Sequence, residues 1–416
     1  MPPLAPGARR RSSETFRTKP NTRLASHALI AAALIAAPTV SARQPDAADE
    51  LLPSLDPALR VVAVEVLDRS PHLEVDRARR DALRLGIHRA GALPDPMASA
   101  TAFALSPETR VGPQRLTLGA RQRLPSPARR ELARDRARLD TDRATTAIAE
   151  RRLSLLLRVR ELWIEIAFLD EQMAILDDQR RHLALHEEAA RARYGTGTGP
   201  ASGPIRLQAE ITRLQSERLG VEDRRAVLIA ELAALRDRSA IDAELAIRPT
   251  LADPPAGLLD DILPISVDAL VDRALDRRPE MAQAELARRG ATIGVAVAET
   301  SGKPDVEVGL MWTAVEPRDD LAGRLDPPDG NGDDILAFTV GVNVPLHRDR
   351  RAAELAEAVA HEVVAGSAAH AVAVDLRRQV ETLAARLPIE ARQLALLRDV
   401  LLVQAHEAVD SAIAGD

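Results

Sequence analysis

Three stretches carry residue types and spacings that could do chemistry. Residues 195–203 read Gly-Thr-Gly-Thr-Gly-Pro-Ala-Ser-Gly. That glycine density lets backbone N–H groups cradle a phosphate when the loop follows a strand and opens a helix. Here the loop follows a long helical pattern, so a helix-to-helix turn is the better reading. His182 and His186 stand at i and i+4, close enough on a helix to share a metal. No third ligand is apparent, and a solvated pair is the better reading. Asp329, Asn331 and Asp333 have the spacing of a calcium loop. Asp334 replaces its turn glycine and Val340 stands where the closing Glu belongs, so 316–334 reads as an exposed hairpin loop. No Ser/His/Asp or paired-carboxylate set rises above scattered charge. These residues assign no catalytic, cofactor or metal site, and the chain does not read as an enzyme. The sequence has no cysteine, which excludes disulfides, thiolate catalysis, Cys-ligated zinc and a lipid on cysteine.

The elements that carry these stretches are mostly helical. Of 416 residues, 46% are hydrophobic, 28% charged and only 2% aromatic. That mixture suits long helices better than a core built on large rings. The net charge is -6 and is mixed along the helices, which argues against a nucleic-acid binder. From Ala128 to Tyr194 there is neither proline nor glycine. A helix over 128–194 would be ~100 Å long at about 1.5 Å per residue, deeper than the core of any globular domain this size. Its apolar seam runs through Leu155, Val159, Leu162, Ile166, Leu169, Met173, Leu176 and Leu183, with Arg180 interrupting. The steps of four and three are coiled-coil spacing. A return helix over 205–238 has its seam at Leu207, Ile211, Leu214, Val221, Leu228, Leu232 and Leu235, with Arg218 and Arg225 in register. Together they read as a long antiparallel hairpin.

After a Pro-rich connection the pattern restarts. Residues 67–86 resemble 275–294; both open Leu-Asp-Arg-x-Pro, and Pro94-Asp95 and Pro304-Asp305 follow. Alternating segments come next. In the second copy Val306, Val308, Leu310, Trp312 and Ala314 share one face, then Leu336, Phe338, Val340, Val342 and Val344. In the first copy 97–105 and 115–124 alternate more weakly. Each copy then passes a proline, Pro125 or Pro345, into an Arg-rich helix start. The chain is therefore an internal duplication. Residues 43–260 form the first repeat. Residues 261–416 form the second, with strands at about 305–315 and 335–345 and a long helix over 346–413. That last helix has a third seam, Leu376, Val380, Leu383, Leu387, Leu394, Leu397 and Leu401. Strands of about ten residues with one apolar face suit a tilted bilayer crossing. Four strands cannot close a barrel, for which about eight is the practical minimum, so a membrane barrel has to be shared between chains. A small soluble sheet packed on helices is the competing reading.

The amino terminus reads as an export signal over 1–42: a basic region with Arg9, Arg10, Arg11, Lys19 and Arg23, an apolar run Ala28–Ala37, and a small-residue site Val40-Ser41-Ala42.

Five stretches in order, 70–97, 123–137, 190–199, 277–309 and 342–358, resemble the TolC-type outer-membrane efflux proteins. Ala-Gly-Ala-Leu-Pro-Asp-Pro at 90–96 and the Pro-x-Pro-x-Arg-Arg box at 125–130 look most like the branch paired with metal-exporting pumps. The resemblance implies a fold that is mainly α with a small β part, with duplicated coiled-coil hairpins and four transmembrane strands per chain. It implies a homotrimer closing a 12-stranded barrel in outer-membrane lipid, continued by an α-helical tunnel into the periplasm. It implies a passive conduit for small molecules or metal ions, working with a periplasmic adaptor and an inner-membrane pump, without a cofactor. Pro125, Pro127 and Pro345 would mark the joints from strand to helix. Arg193, Tyr194, Gly195 and Gly197 would form the tip that meets the adaptor. Ala128 stands where the family usually has glycine, and the tip turn is unusually rich in Gly and Pro. The resemblance also implies a second return helix beyond Gly415, near the family's tip glycine, so the C-terminus reads as truncated and the third seam as unpaired. A non-transporting periplasmic coiled-coil scaffold, or a decayed duplicate, is the rival reading.

Overall fold

The computed structural model describes residues 47–239, 249 and 266–414. The expected export signal and nearly all of the Pro-rich connection lie outside the described residues. Three helices lead in: α1 (Ala47–Leu51), α2 (Pro57–Arg69) and α3 (Pro71–Ala90). Asp56 starts α2 by accepting hydrogen bonds from the Ala58 and Leu59 amides at 2.9 and 3.3 Å, with Pro57 at the first helical position. Both choices satisfy or remove donors that a helix start leaves unpaired. Strands β1 (Met97–Ala102), β2 (Glu108–Thr109) and β3 (Gly112–Leu124) follow, then the long helix α4 (Pro127–Gly195) and its return α5 (Ser202–Leu235).

The second half repeats this order with α6 (Val267–Arg277), α7 (Pro279–Thr300), β4 (Val306–Val315), a short α8 (Leu321–Leu325) and β5 (Ile335–Val342). Helix α9 (Arg348–Leu396) passes through Pro388, widens into a π turn at Leu397–Leu401 and continues as α10 (Leu402–Ala414). The chain is mainly helical with a small antiparallel sheet.

The core lies where α2, α4 and α5 meet. Val159, Leu162, Ile166 and Leu232 have no exposed surface, and Val66 joins them. These are the seam positions of the expected hairpin. Met173, Leu183 and Leu235 pack against the same cluster. The two arginines in the seam register do not break it. Arg218 donates to both oxygens of Asp177 at 3.0 and 3.1 Å, and Arg225 pairs with Asp170. Arg158–Glu231 and Arg224–Glu165 form a second pair of links, again seven residues apart on each helix. The charges therefore keep the heptad register that the leucines set.

The third seam differs. Leu376 is buried, but Leu383 is 65% and Leu401 56% exposed. Helices α6 and α7 pack against α9; from Glu381 onward none of its described residues is buried.

Element bounds shift by a few residues from those expected. β1 stops at Ala102 rather than 105, and β3 begins at Gly112 rather than 115. β5 ends at Val342, so Pro345 lies in a linker and not at the strand end. The return helix spans 202–235 rather than 205–238. The loop between β4 and β5 contains α8, which the composition of 316–334 did not suggest.

Candidate functional site

The sheet runs β1-β3-β4-β5, each pair antiparallel, with β2 folded back on β3 alone. Its register sorts the residues onto two faces. Leu118, Trp312 and Leu336 stand in one row across β3, β4 and β5, and Ala120, Leu310 and Phe338 in the next. Ala100 extends the first row onto β1 and Ala98 the second. This apolar face is open: Leu336 is 69%, Phe338 71% and Val340 60% exposed. A monomeric soluble protein rarely shows so continuous an apolar surface.

The other face is mainly small and polar, with Met311 and Ile335 among its large apolar residues. The Thr117 and Thr313 hydroxyls lie 3.0 Å apart and share a hydrogen bond. Arg121 stands 3.8 Å from Glu307. Gly309 leaves room for its neighbours, since a Cβ there would sit 2.4 Å from Thr339 Oγ1. Among the described residues nothing pairs with the outer edges of β1 and β5.

Between sheet and helices lies the joint. Only Pro125 and Ser126 separate β3 from α4. Pro127 occupies the first helical turn, and Ser126 Oγ accepts from the Arg129 amide at 3.4 Å. Proline ends the strand ladder and fits a helix start, so a strand becomes a helix within two residues. The second joint is looser. Five residues, 343–347, separate β5 from α9, Pro345 lies among them, and His347 supplies no side-chain cap.

A buried polar cluster ties the joint together, and sequence reasoning missed it. Asp305, one residue outside β4, is 5% exposed. Arg129 Nη1 donates to its two carboxylate oxygens at 2.9 and 3.0 Å, and Arg123 Nη2 donates at 2.7 Å. Arg129 also donates to the Thr300 carbonyl at 3.2 Å. Asn343 Oδ1 accepts from the Asp305 amide at 2.6 Å. Burial pushes the Asp305 carboxyl up, but the Arg123 hydrogen bond and the charges of Arg129 and Arg123 outweigh it and hold it below the usual aspartate range. The Asp305 carboxylate thus joins β3 to α4, its backbone amide reaches the segment after β5, and Arg129 adds the end of α7. The one sequence signal was the repeated Pro-Asp before each first strand.

The four tip residues come together in one exposed turn. Gly195 ends α4, Gly197 has φ +75° and Tyr194 is 53% exposed. The Arg193 carbonyl accepts from the Thr198 amide at 2.9 Å and from the Thr196 and Thr198 hydroxyls, each at 3.1 Å. The glycine-rich run is thus a helix-to-helix turn, as its position after a helix required.

His182 and His186 are both exposed on α4. Among the described residues no group of three His, Asp or Glu is placed to hold a metal. In the 316–334 loop, Asn331 Oδ1 accepts from the Arg318 amide at 2.8 Å. The neighbouring Asp334 accepts from Trp312 Nε1 at 3.2 Å and the Val315 amide at 3.1 Å. These side chains tie the loop to β4. No helix among the described residues is long and apolar enough to cross a membrane.

This arrangement of sheet, joint and paired long helices is the fold of outer-membrane channel proteins. A membrane protein of Pseudomonas aeruginosa superposes with a TM-score of 0.69 at 19% identity, over 86% of this chain and 82% of that one. The outer membrane protein VceC of Vibrio cholerae gives 0.64 at 19% identity, over 86% of both chains. CusC, whose structures describe transmembrane channel formation, gives 0.66 at 15% identity, over 86% of this chain and 82% of that one. No protein-family model matches the sequence, nor does any curated protein.

Proposed function

We propose that this chain is a subunit of a TolC-type outer-membrane export channel, a passive conduit that catalyses no reaction. The observation that carries the reading is the four-stranded sheet, largely apolar across one face and unpaired at both edges among the described residues, that feeds a 69-residue helix. Such a sheet satisfies neither water nor lipid alone. In lipid its edges leave backbone groups unpaired, and in water its face stays exposed. Three copies close a twelve-stranded barrel with the apolar face toward lipid and the threonine-lined face toward a lumen. The long helices continue the lumen into the periplasm.

In this reading Pro125, Pro127 and Pro345 mark the change from barrel to tunnel. Arg193, Tyr194, Gly195 and Gly197 meet a periplasmic adaptor that bridges to an inner-membrane pump. The cargo is small molecules or metal ions, and residues 1–42 direct export. The fold shared with outer-membrane channels supports this reading. The test is fractionation of cells expressing the full chain. Heat-modifiable trimers in the outer membrane are expected. A soluble periplasmic monomer would overturn the channel and leave the scaffold.

A further inference from the structure

A groove opens where the end of α3, the loop after it and the head of α4 meet. It measures about 490 Å³, and Arg89, Leu93, Pro94, Asp95, Pro125 and Arg130 are among its lining residues. Arg89 and Asp95 are exposed, and among the described residues neither side chain has a hydrogen-bond or ion-pair partner. Arg130 is half-buried and spends its Nε on the Gly91 carbonyl at 3.0 Å. Arg134 donates to the same carbonyl at 3.1 Å. The two bonds fix the loop against α4 and hold the Arg130 stem in place, while its two terminal nitrogens stay uncommitted. Arg129, also in the wall, is engaged by Asp305 and the Thr300 carbonyl. The groove therefore carries two available arginines and one available carboxylate.

Its position matters as much as its charge. Gln122 stands on the apolar face of the sheet, opposite Val308, and its Nε2 donates to the Pro94 carbonyl at 2.7 Å. The loop that walls the groove is thus fastened on the apolar side. The apolar row of β3 ends at Leu124, next to Pro125. From Leu116 to Leu124 is about the length a tilted strand needs to cross hydrocarbon. The groove then falls where hydrocarbon gives way to headgroups. Aromatic rings commonly mark that level in a barrel. Trp312 and Phe338 sit farther from the joint, and the two rows nearest it hold Gln122, Val308 and Val340, then Leu124, Val306 and Val342. With no ring at this level of the sheet, arginines can set its depth by laying their stems on apolar surface with their heads in the polar layer.

The charges specify the headgroup. A guanidinium donates to phosphate oxygens in pairs, so a phosphodiester suits Arg89 and Arg130. Asp95 opposes a ligand of net negative charge and favours one with a cation close beyond its phosphate. A quaternary ammonium donates no hydrogen bond and is best held by aromatic faces, and no aromatic residue is among those lining the groove. A primary ammonium can donate to Asp95.

We propose that this groove holds the headgroup of a phosphatidylethanolamine from the membrane's periplasmic leaflet, its phosphate on Arg89 and Arg130 and its ammonium on Asp95. The inference rests on the reading that the apolar face meets lipid, and adds a specific lipid site at the strand-to-helix joint.

The test uses full-length, delipidated protein in detergent. It is titrated with short-chain phosphatidylethanolamine, phosphatidylcholine and phosphatidylglycerol and with inorganic phosphate, and native mass spectrometry reads monomer and trimer separately. Phosphatidylethanolamine should bind tightest, by on the order of tenfold. Arg89→Gln and Arg130→Gln should each weaken it on the order of tenfold, as loss of a hydrogen bond to a charged group does. Asp95→Asn keeps the shape of the groove. It should weaken phosphatidylethanolamine and strengthen phosphatidylglycerol, a change of preference that a merely structural role would not produce.

Equal binding of the three lipids, or an unchanged preference in Asp95→Asn, would overturn the site. Inorganic phosphate binding as tightly as phosphatidylethanolamine would overturn the lipid as its occupant. Lipid bound to monomers and lost from trimers would give the groove to a contact between copies instead. Protein that shows the predicted preferences yet forms no trimers would keep the headgroup site and overturn the shared barrel.

Discussion

Asp305→Asn keeps the shape of the joint and removes the charge that two arginines converge on. The side chain accepts from Arg123 at 2.7 Å and from Arg129 at 2.9 and 3.0 Å. Hydrogen bonds to a charged group contribute about 1.5–3 kcal/mol each. The Arg123 side chain is 59% exposed and that of Arg129 32%, so water recovers part of each loss. The net cost should be about 2–3 kcal/mol rather than the sum. Backbone pairing of Asp305 with Asn343 survives the change. Urea unfolding of the detergent-folded protein, followed by helical ellipticity, reads this directly. A double-mutant cycle with Arg129→Ala should give a coupling of about 1–2 kcal/mol. The sign with pH is also fixed. The folded carboxyl titrates below its unfolded value of about 3.9, so its contribution is whole above that pH. It disappears as pH falls through the lowered folded value. The Asn variant should therefore lose its deficit relative to the parent in strong acid. If Asp305→Asn unfolds within about 0.5 kcal/mol of the parent at pH 7, or the cycle is additive, the joint is not held by this carboxylate.

Other changes should separate core, turn, lipid face and surface. Leu162→Ala empties a site with no exposed surface and should cost about 2–5 kcal/mol in the same unfolding assay; a smaller loss would mean the hairpin is not packed there. Gly112→Ala puts a side chain on a residue with φ +122°, 1.8 Å from the Glu316 carbonyl oxygen. It should cost at least about 1–3 kcal/mol, and unchanged stability would refute the turn geometry. Val308→Asp with Val340→Asp places two charges on the apolar face and should block trimer insertion while helical content stays near the parent's; normal outer-membrane trimers would count against that face meeting lipid. Arg224→Ala removes an exposed link to Glu165 and should cost under about 1 kcal/mol, so a large loss would show the ladder of charges to be structural.

The long hairpin was legible because a heptad is a local signal: each leucine of the seam is specified by neighbours three and four positions away. Strands β4 and β5 were legible for the same reason, at period two. Strand β1 was fainter because after Met97 its residues are alanine, serine and threonine, which fit either face. The duplication was legible as repeated Leu-Asp-Arg-x-Pro and Pro-Asp. The Asp305 cluster was not, since Arg129 lies 176 residues away and no periodicity connects a carboxylate to a partner at that distance. The same holds for Glu65, which Arg236 and Arg238 clasp from beyond the end of α5. Helix α8 begins where Asp320 accepts from the Gly323 amide at 2.9 Å, a cap lost among the many acids of that loop. The course of α9 through Pro388 also departs from the usual rule, since proline removes a helical donor.

The open edges of β1 and β5 impose an order in time. A newly made chain can fold its hairpin alone, because the contacts between α4 and α5 span one turn and close quickly. If the sheet belongs to a barrel shared between copies, it cannot reach a final state by the same route. Until another copy arrives, unpaired strand edges and a bare apolar face invite pairing with any strand nearby. In the channel reading the last step of folding is therefore also the first step of assembly, and its speed depends on how many copies are present. Sparse synthesis leaves chains waiting in a half-finished state, where aggregation and proteolysis compete. The yield of finished channels should then rise more steeply than in proportion to the amount of protein made.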